Sequence, residues 1–203
     1  MKIICIGHNY REHAKELNTP IPEEPVFFMK PDSSILLDNK PFYLPDFSNE
    51  IHHEVEVLVK INRLGKNIER KYAHRYYNEI TVGIDFTARD LQRKCKAEGK
   101  PWEISKAFDG SAVIGKFIKL NSNINIHALD FRLHLNGVKV QEGNTSDMIF
   151  SIDQIIEYIS RFITLKIGDV IYTGTPKGVG TVKINDRLEA YIGDMKLLDL
   201  EVK

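Results

Sequence analysis

Short runs that are apolar throughout, or that alternate apolar with polar side chains, recur along the chain. Residues 3–6, 26–29, 54–61, 80–85, 131–136, 169–173 and 187–192 fit strands by composition or by period-two alternation. Asn136-Gly137 separates the run at 131–135 from Val138-Lys139-Val140. An Asn-Gly pair accepts positive φ at both turn positions, so a hairpin is predicted there. Helical periodicity is scarcer. Asn9, with Glu12 three residues on, reads as the cap of a helix reaching Leu17. Thr87, with Asp90, reads as the start of a second that stops at Gly99, with Pro101 beyond. Ser151, with Gln154, opens a third, which places Ile152, Ile155, Ile156, Ile159 and Ile163 on one apolar face destined for the core. Strands outnumber helices and do not alternate with them regularly. The pattern therefore predicts an α+β fold and not a doubly wound sheet.

Composition narrows the class of partner. With 203 residues, 42% apolar and 28% charged, the chain suits one globular domain with a sizeable core. No repeat or linker interrupts it, and the Pro-bearing stretch from Thr19 to Pro25 reads as a loop. Acidic and basic side chains balance at 28 each, so no overall field draws the molecule to nucleic acid or to an anionic membrane. No apolar run approaches the length of a bilayer span, and the opening run of residues 3–6 is too short for a signal peptide. Cys5 and Cys95 lie far apart and form no CxxC pair, which suits reduced thiols. A cytoplasmic location is expected.

The acids carry the first hint of chemistry. In Ile51-His-His-Glu-Val-Glu-Val-Leu-Val59, alternation puts Glu54 and Glu56 on one face, roughly 7 Å apart along a strand. By itself this describes a half-exposed strand with its acidic face in water. Asp85 ends a second strand-like run where the chain turns into the Thr87 helix, a position that often carries ligands or catalytic groups. Three carboxylates without Cys or His at ligand spacing suit an oxygen-preferring cation, Mg²⁺ first, then Mn²⁺ or Ca²⁺. His52 and His53 read as packing or supporting groups.

The run HHEVE at 52–56, GIDFTARDLQ at 83–92, KAFD at 106–109 and TGTPKGVG at 173–180 resembles, in order and separation, the fumarylacetoacetate hydrolase family. The likeness extends from IGHNYREH at 6–13 to the C-terminus. QEGNTSDMIFSI at 141–152 and ITLKIGDVIYTGTPKGVG at 163–180 are similar to its short branch of acylpyruvases and oxaloacetate decarboxylases. The resemblance implies a mixed β-roll, a homodimer, and one Mg²⁺ held by Glu54, Glu56 and Asp85. It implies one catalytic domain over 1–203, in which 1–45 is an N-terminal segment with a lid helix and 46–203 the metal-binding core.

Taken alone, His13 and Glu16 are neighbours on a solvated helix face. The resemblance makes them a catalytic pair on the lid that handles water. It likewise takes Lys106 to the substrate's carbonyl oxygen, and Arg89 and Gln92 to substrate contacts. Thr175, in a glycine-rich loop that matches neither a phosphate loop nor a dinucleotide fingerprint, can offer its hydroxyl to a carboxylate. The implied reaction is metal-dependent cleavage of the C3–C4 bond of a small 2-keto acid, as acylpyruvate hydrolysis or oxaloacetate decarboxylation, yielding pyruvate. The alternatives are an isomerase or tautomerase of 2-hydroxyhepta-2,4-diene-1,7-dioate type, which needs no activated water, and a metal-stabilised binding protein without catalysis.

Overall fold

A computed structural model of the chain describes residues 1–203. Its main sheet runs in the order Val26–Lys30, Ile3–Gly7, Val170–Tyr172, Val55–Ile61, Tyr77–Asp85, Ala112–Ile114 and Ile35–Leu36, with Ile118–Lys119 also on the Tyr77–Asp85 strand. Ile3–Gly7 pairs parallel to Val170–Tyr172, and Ile35–Leu36 parallel to Ala112–Ile114, while the other pairings are antiparallel. The first 45 residues thus contribute three strands to the sheet that carries Glu56 and Asp85.

A second, antiparallel sheet has the order Val138–Asn144, Asp130–Leu135, Arg187–Ile192 and Met195–Glu201. A three-stranded ribbon joins Gly180–Thr181, Ile51–His53 and Thr87–Ala88. Val57, Val82 and Ile84 from the main sheet share one apolar core with Leu133, Ala190 and Leu198 from the second and with Ile155, Ile156 and Ile159. The mixed β-roll with few helices is the architecture that the resemblance implied.

Ile152–Phe162 forms as its pattern predicts, with Ser151 and Gln154 making both bonds of a capping box. Asn136 and Gly137 take φ of 53° and 80° in the predicted hairpin. Two predicted caps fail. The first helix is Arg11–Glu16, and its N-cap is Tyr10 with no side-chain bond. Asn9 has a stronger use: its amide donates to the carbonyls of Phe150 and Thr173 and accepts from Phe150 N–H. Thr87 lies in a strand; the helix is Arg89–Glu98, and its cap Ala88 again makes no side-chain bond. Gly99 closes that helix in the left-handed region at φ 62°, as expected.

Two further helices of four residues, Arg70–Ala73 and Glu103–Lys106, are too short to show a period in sequence. The strand expected over 54–61 forms as Val55–Ile61, while the longer alternating run 51–59 is interrupted at Glu54, where the chain passes from the ribbon strand Ile51–His53 to that main-sheet strand. No helix is long and apolar enough to cross a membrane, and both cysteines are free and buried.

Candidate active site

Glu54 sits at that hand-over, Glu56 lies opposite Gly83 in the adjoining strand, and Asp85 is the last residue of the Gly83 strand. This pairing carries the three carboxylates to one point, with one oxygen from each lying within 4.8 Å of the others. They are 5%, 1% and 1% exposed, which removes the water-facing reading of the strand. Three buried carboxyl groups at this spacing need cations or protons. Lys106, at the end of its short helix, donates to Glu54 Oε2 at 2.7 Å, Asp85 Oδ2 at 2.7 Å and Thr87 Oγ1 at 2.6 Å. Arg89 donates to Glu54 Oε1, to Gln92 Oε1 at 2.6 Å and to His52 Nδ1 at 3.3 Å.

Sequence reasoning missed a third cation, Lys30. Fully buried at the end of an apolar strand, its ammonium lies 2.7 Å from Asp85 Oδ1. Its bonds, however, go to the carbonyls of Lys106 and Ser111 and to Ser111 Oγ. With those three donors directed elsewhere, Asp85 Oδ1 is a buried oxygen that accepts no hydrogen bond. The only signal in sequence was period-two alternation, which puts Lys30 on the face of Phe28.

Glu56 has no cationic partner and accepts one hydrogen bond, from Gly174 N–H at 2.6 Å. Burial, then the neighbouring Asp85 and Glu54 charges, pushes its pKa well above the ordinary carboxylate range. For Glu54 burial acts in the same sense, but Lys106 and Arg89 outweigh it and hold its pKa well below that range. Burial opposes the charge on Lys106, whereas Asp85 and Glu54 more than restore it, so its pKa is raised. An all-oxygen donor set, an Asp85 oxygen that accepts no hydrogen bond and a Glu56 without a cationic partner together fit a divalent cation.

Of the remaining predicted residues, all but Glu16 line the same pocket. His13, Arg89, Gln92, Lys106 and Thr175 line it together with the three carboxylates. His13 is 4% exposed, not solvated, and its Nδ1 lies 3.0 Å from Glu16 Oε2. Glu16 also accepts from Gly178 N–H at 2.9 Å, which fastens the helix to the glycine-rich loop. The free space among the lining groups is about 20 Å³, room for one water. Gln141 was also missed as an individual residue, although it opens one of the quoted motifs. It ties His53, Val55, Thr175 and Pro176 together. A roomier groove of about 660 Å³ runs past Arg11, Asp147 and Lys177. Its Glu12 and Glu142 are exposed and paired with Lys15 and Lys139, so no unpartnered carboxylate pair converges there.

The chain matches the family model described as fumarylacetoacetate (FAA) hydrolase C-terminal over residues 2–203. It is 41% identical over 201 residues to the mitochondrial oxaloacetate tautomerase FAHD1 of Mus musculus, covering 99% of this chain and 91% of the relative. It is 43% identical over 183 residues to the mitochondrial oxaloacetate decarboxylase of Dictyostelium discoideum, covering 90% and 84%. Among solved structures, a fumarylpyruvate hydrolase from Pseudomonas aeruginosa in complex with Mn²⁺ and pyruvate superposes with a TM-score of 0.94. That match has 32% identity and covers 100% of this chain and 89% of the other.

Proposed function

This chain belongs to the fumarylacetoacetate hydrolase family, and from that premise we propose that it is an Mg²⁺-dependent enzyme that cleaves the C3–C4 bond of small 2-keto acids to give pyruvate. Acylpyruvate hydrolysis and oxaloacetate decarboxylation are its reactions. The carrying observation is the single buried pocket in which Glu54, Glu56 and Asp85 meet Lys106 and His13. The names of the relatives, two acting on oxaloacetate and one on fumarylpyruvate, support this substrate class.

Glu54, Glu56 and Asp85 would hold the ion, which when bound supplies Lewis-acid polarisation to a 2-keto oxygen. The protein's own charges then select an anion. Once the metal displaces the proton from Glu56, the three carboxylates balance the paired cations Lys30, Lys106 and Arg89, so a divalent ion leaves the cluster positive. Lys106, kept charged by its acidic neighbours, stands by the carbonyl oxygen on which negative charge grows as the bond to C3 breaks. Arg89, Gln92 and Thr175 bind the substrate.

Glu16 accepts the Nδ1 proton of His13, which leaves Nε2 as the basic nitrogen. In hydrolysis that nitrogen takes a proton from the water that attacks the distal carbonyl; the new C–O bond forms at C4 as the C3–C4 pair passes to C3. In decarboxylation CO₂ leaves C3 with no water consumed, so His13 is dispensable for bond cleavage.

A second reading, oxaloacetate tautomerase, is favoured by the name of the mouse relative. There His13 would move the C3 proton between keto and enol forms. The homodimer is supported by the outward-facing Tyr43, Phe47 and Ile104, which are 69%, 49% and 57% exposed. Light scattering coupled to size exclusion tests it.

The deciding experiment supplies acetylpyruvate or oxaloacetate with Mg²⁺ or excess EDTA, and follows pyruvate and, by ultraviolet absorbance, enol decay. Mg²⁺-dependent pyruvate supports cleavage. His13→Gln is expected to depress hydrolysis far more than decarboxylation. Accelerated enol decay with no pyruvate would replace the cleavage reading by the tautomerase one.

A further inference from the structure

Gln141 is 2% exposed, and every polar atom of its side chain is in use. Its Oε1 lies 3.0 Å from the backbone nitrogen of Val55 and 2.9 Å from His53 Nδ1. Its Nε2 lies 2.9 Å from Thr175 Oγ1 and 3.0 Å from the Pro176 carbonyl. The orientation of the amide is fixed twice over. A backbone N–H can only donate, so the atom facing Val55 is the oxygen; a backbone carbonyl can only accept, so the atom facing Pro176 is the nitrogen.

Each amide hydrogen then has one destination. One goes to the Pro176 carbonyl and the other to Thr175 Oγ1, so the threonine oxygen is an acceptor toward Gln141. Its own proton must point elsewhere. Within the protein its one acceptor is the Pro176 carbonyl at 3.5 Å, at the outer limit for a hydrogen bond and already taking the amide. The other direction is the pocket that Thr175 shares with Lys106 and the three carboxylates.

We infer that Gln141 is a positioning residue that aims the Thr175 hydroxyl as a donor into the pocket, toward the carboxylate of a bound 2-keto acid. The inference rests on the keto-acid reading. It makes the strand that carries Glu56 also the anchor of substrate recognition: the Val55 N–H orients the amide, and the amide orients the hydroxyl. His53, whose Nδ1 must carry the proton it gives to Oε1, holds the same amide from its second side.

The test uses full-length Mg²⁺-loaded protein with pyruvate as the probe, read by calorimetry, alongside steady-state kinetics. Gln141→Glu keeps the shape and the acceptor toward Val55 but replaces the NH₂ with an oxygen that draws the Thr175 proton back. Pyruvate Kd and KM are expected to rise about 10- to 100-fold, the range for a hydrogen bond to a charged group. kcat is expected to stay within severalfold, because the bond is made alike in ground and transition states. Thr175→Val should give a similar loss, and the double variant no more than either alone.

Losses that multiply in the double variant would overturn the inference and assign the Gln141→Glu effect to charge repulsion. An unchanged Kd in Gln141→Glu beside a weakened Thr175→Val would also overturn it. Wild-type protein that binds no pyruvate with Mg²⁺ would sink the keto-acid reading itself, and this inference with it. Should Gln141→Glu fail to fold, the wild-type protein still decides by NMR: both Gln141 side-chain amide protons should be protected from exchange, and fast exchange refutes the arrangement.

Discussion

Glu56→Gln should raise the stability of the metal-free protein and remove the stabilisation that Mg²⁺ confers. Glu54 faces two cations and so does Asp85, while Glu56, 1% exposed, has only the Gly174 N–H. An uncompensated buried carboxylate costs on the order of several kcal/mol. Glutamine keeps the volume and the bond from Gly174, and turns an NH₂ toward the remaining acids. At about 2–4 °C per kcal/mol for a chain of this length, Tm in EDTA should rise by roughly 5–10 °C.

The sign with pH follows from the raised pKa of Glu56, whose ordinary value is 4.5. The folded state holds a proton that the unfolded state releases, so wild-type stability falls as pH rises from 4.5 through the raised value. The advantage of glutamine should therefore be largest near pH 8 and vanish near pH 4.5. Mg²⁺ at a hundred times its Kd stabilises wild type by about 2.7 kcal/mol, again roughly 5–10 °C, and the variant far less. Differential scanning calorimetry at pH 8, with EDTA or Mg²⁺, reads both effects. A variant less stable than wild type in EDTA, or one that keeps the full Mg²⁺ shift, would refute the reasoning.

Other perturbations test other parts of the site. His8 is held at φ 57°, and burial, then the Lys96 and His13 charges, lowers its pKa to about 4. The unfolded chain takes up that proton near 6.5, so stability drains as pH falls from 6.5 to about 4, by on the order of 3 kcal/mol. His8→Asn tolerates the same φ and should flatten urea-derived stability across that window; an unchanged slope would clear His8 of the effect. Lys106→Met leaves Glu54 with Arg89 and Asp85 with Lys30. It should cut kcat/KM by about 100-fold or more while preserving the Mg²⁺-induced rise in Tm, and near-normal turnover would remove Lys106 from the chemistry. A Cβ on Gly83 would lie 2.8 Å from Leu58 Cδ2 and closer still to the Val113 carbonyl. Gly83→Ala should therefore lower stability by several kcal/mol and shift the strands holding Glu56 and Asp85; a loss below about 1 kcal/mol in urea melts would mean that the sheet relaxes freely.

Local patterns were legible wherever a single element decides its own form. The isoleucine face and capping box of 152–162, the Asn136-Gly137 turn and the Gly99 stop each depend on neighbours a few residues away. The motifs likewise named the carboxylates, His13, Glu16, Lys106, Arg89, Gln92 and Thr175, all but Glu16 of which line one pocket. The Met195–Glu201 strand escaped notice because a bulge skips Leu197: Ala190 pairs with Leu198 and Tyr191 with Lys196, so period-two alternation is broken. Asn9 and Thr87 looked like caps because cap chemistry is local, whereas their actual partners are Phe150, Thr173 and Lys106.

The state of the acids belonged wholly to the tertiary structure. Alternation in 51–59 describes a water-facing strand and a metal site equally well. What separates them is burial and pairing across the chain: Lys106 lies 52 residues from Glu54, and Gly174 lies 118 from Glu56. Lys30 and Gln141 acquire their roles in the same way, since a buried ammonium or amide is defined by the atoms that fill its hydrogen bonds, and sheet pairing brings those atoms from distant segments. Sequence by itself determined which side chains could do the chemistry; the fold decided which of them meet, which are charged, and which are left open to a ligand.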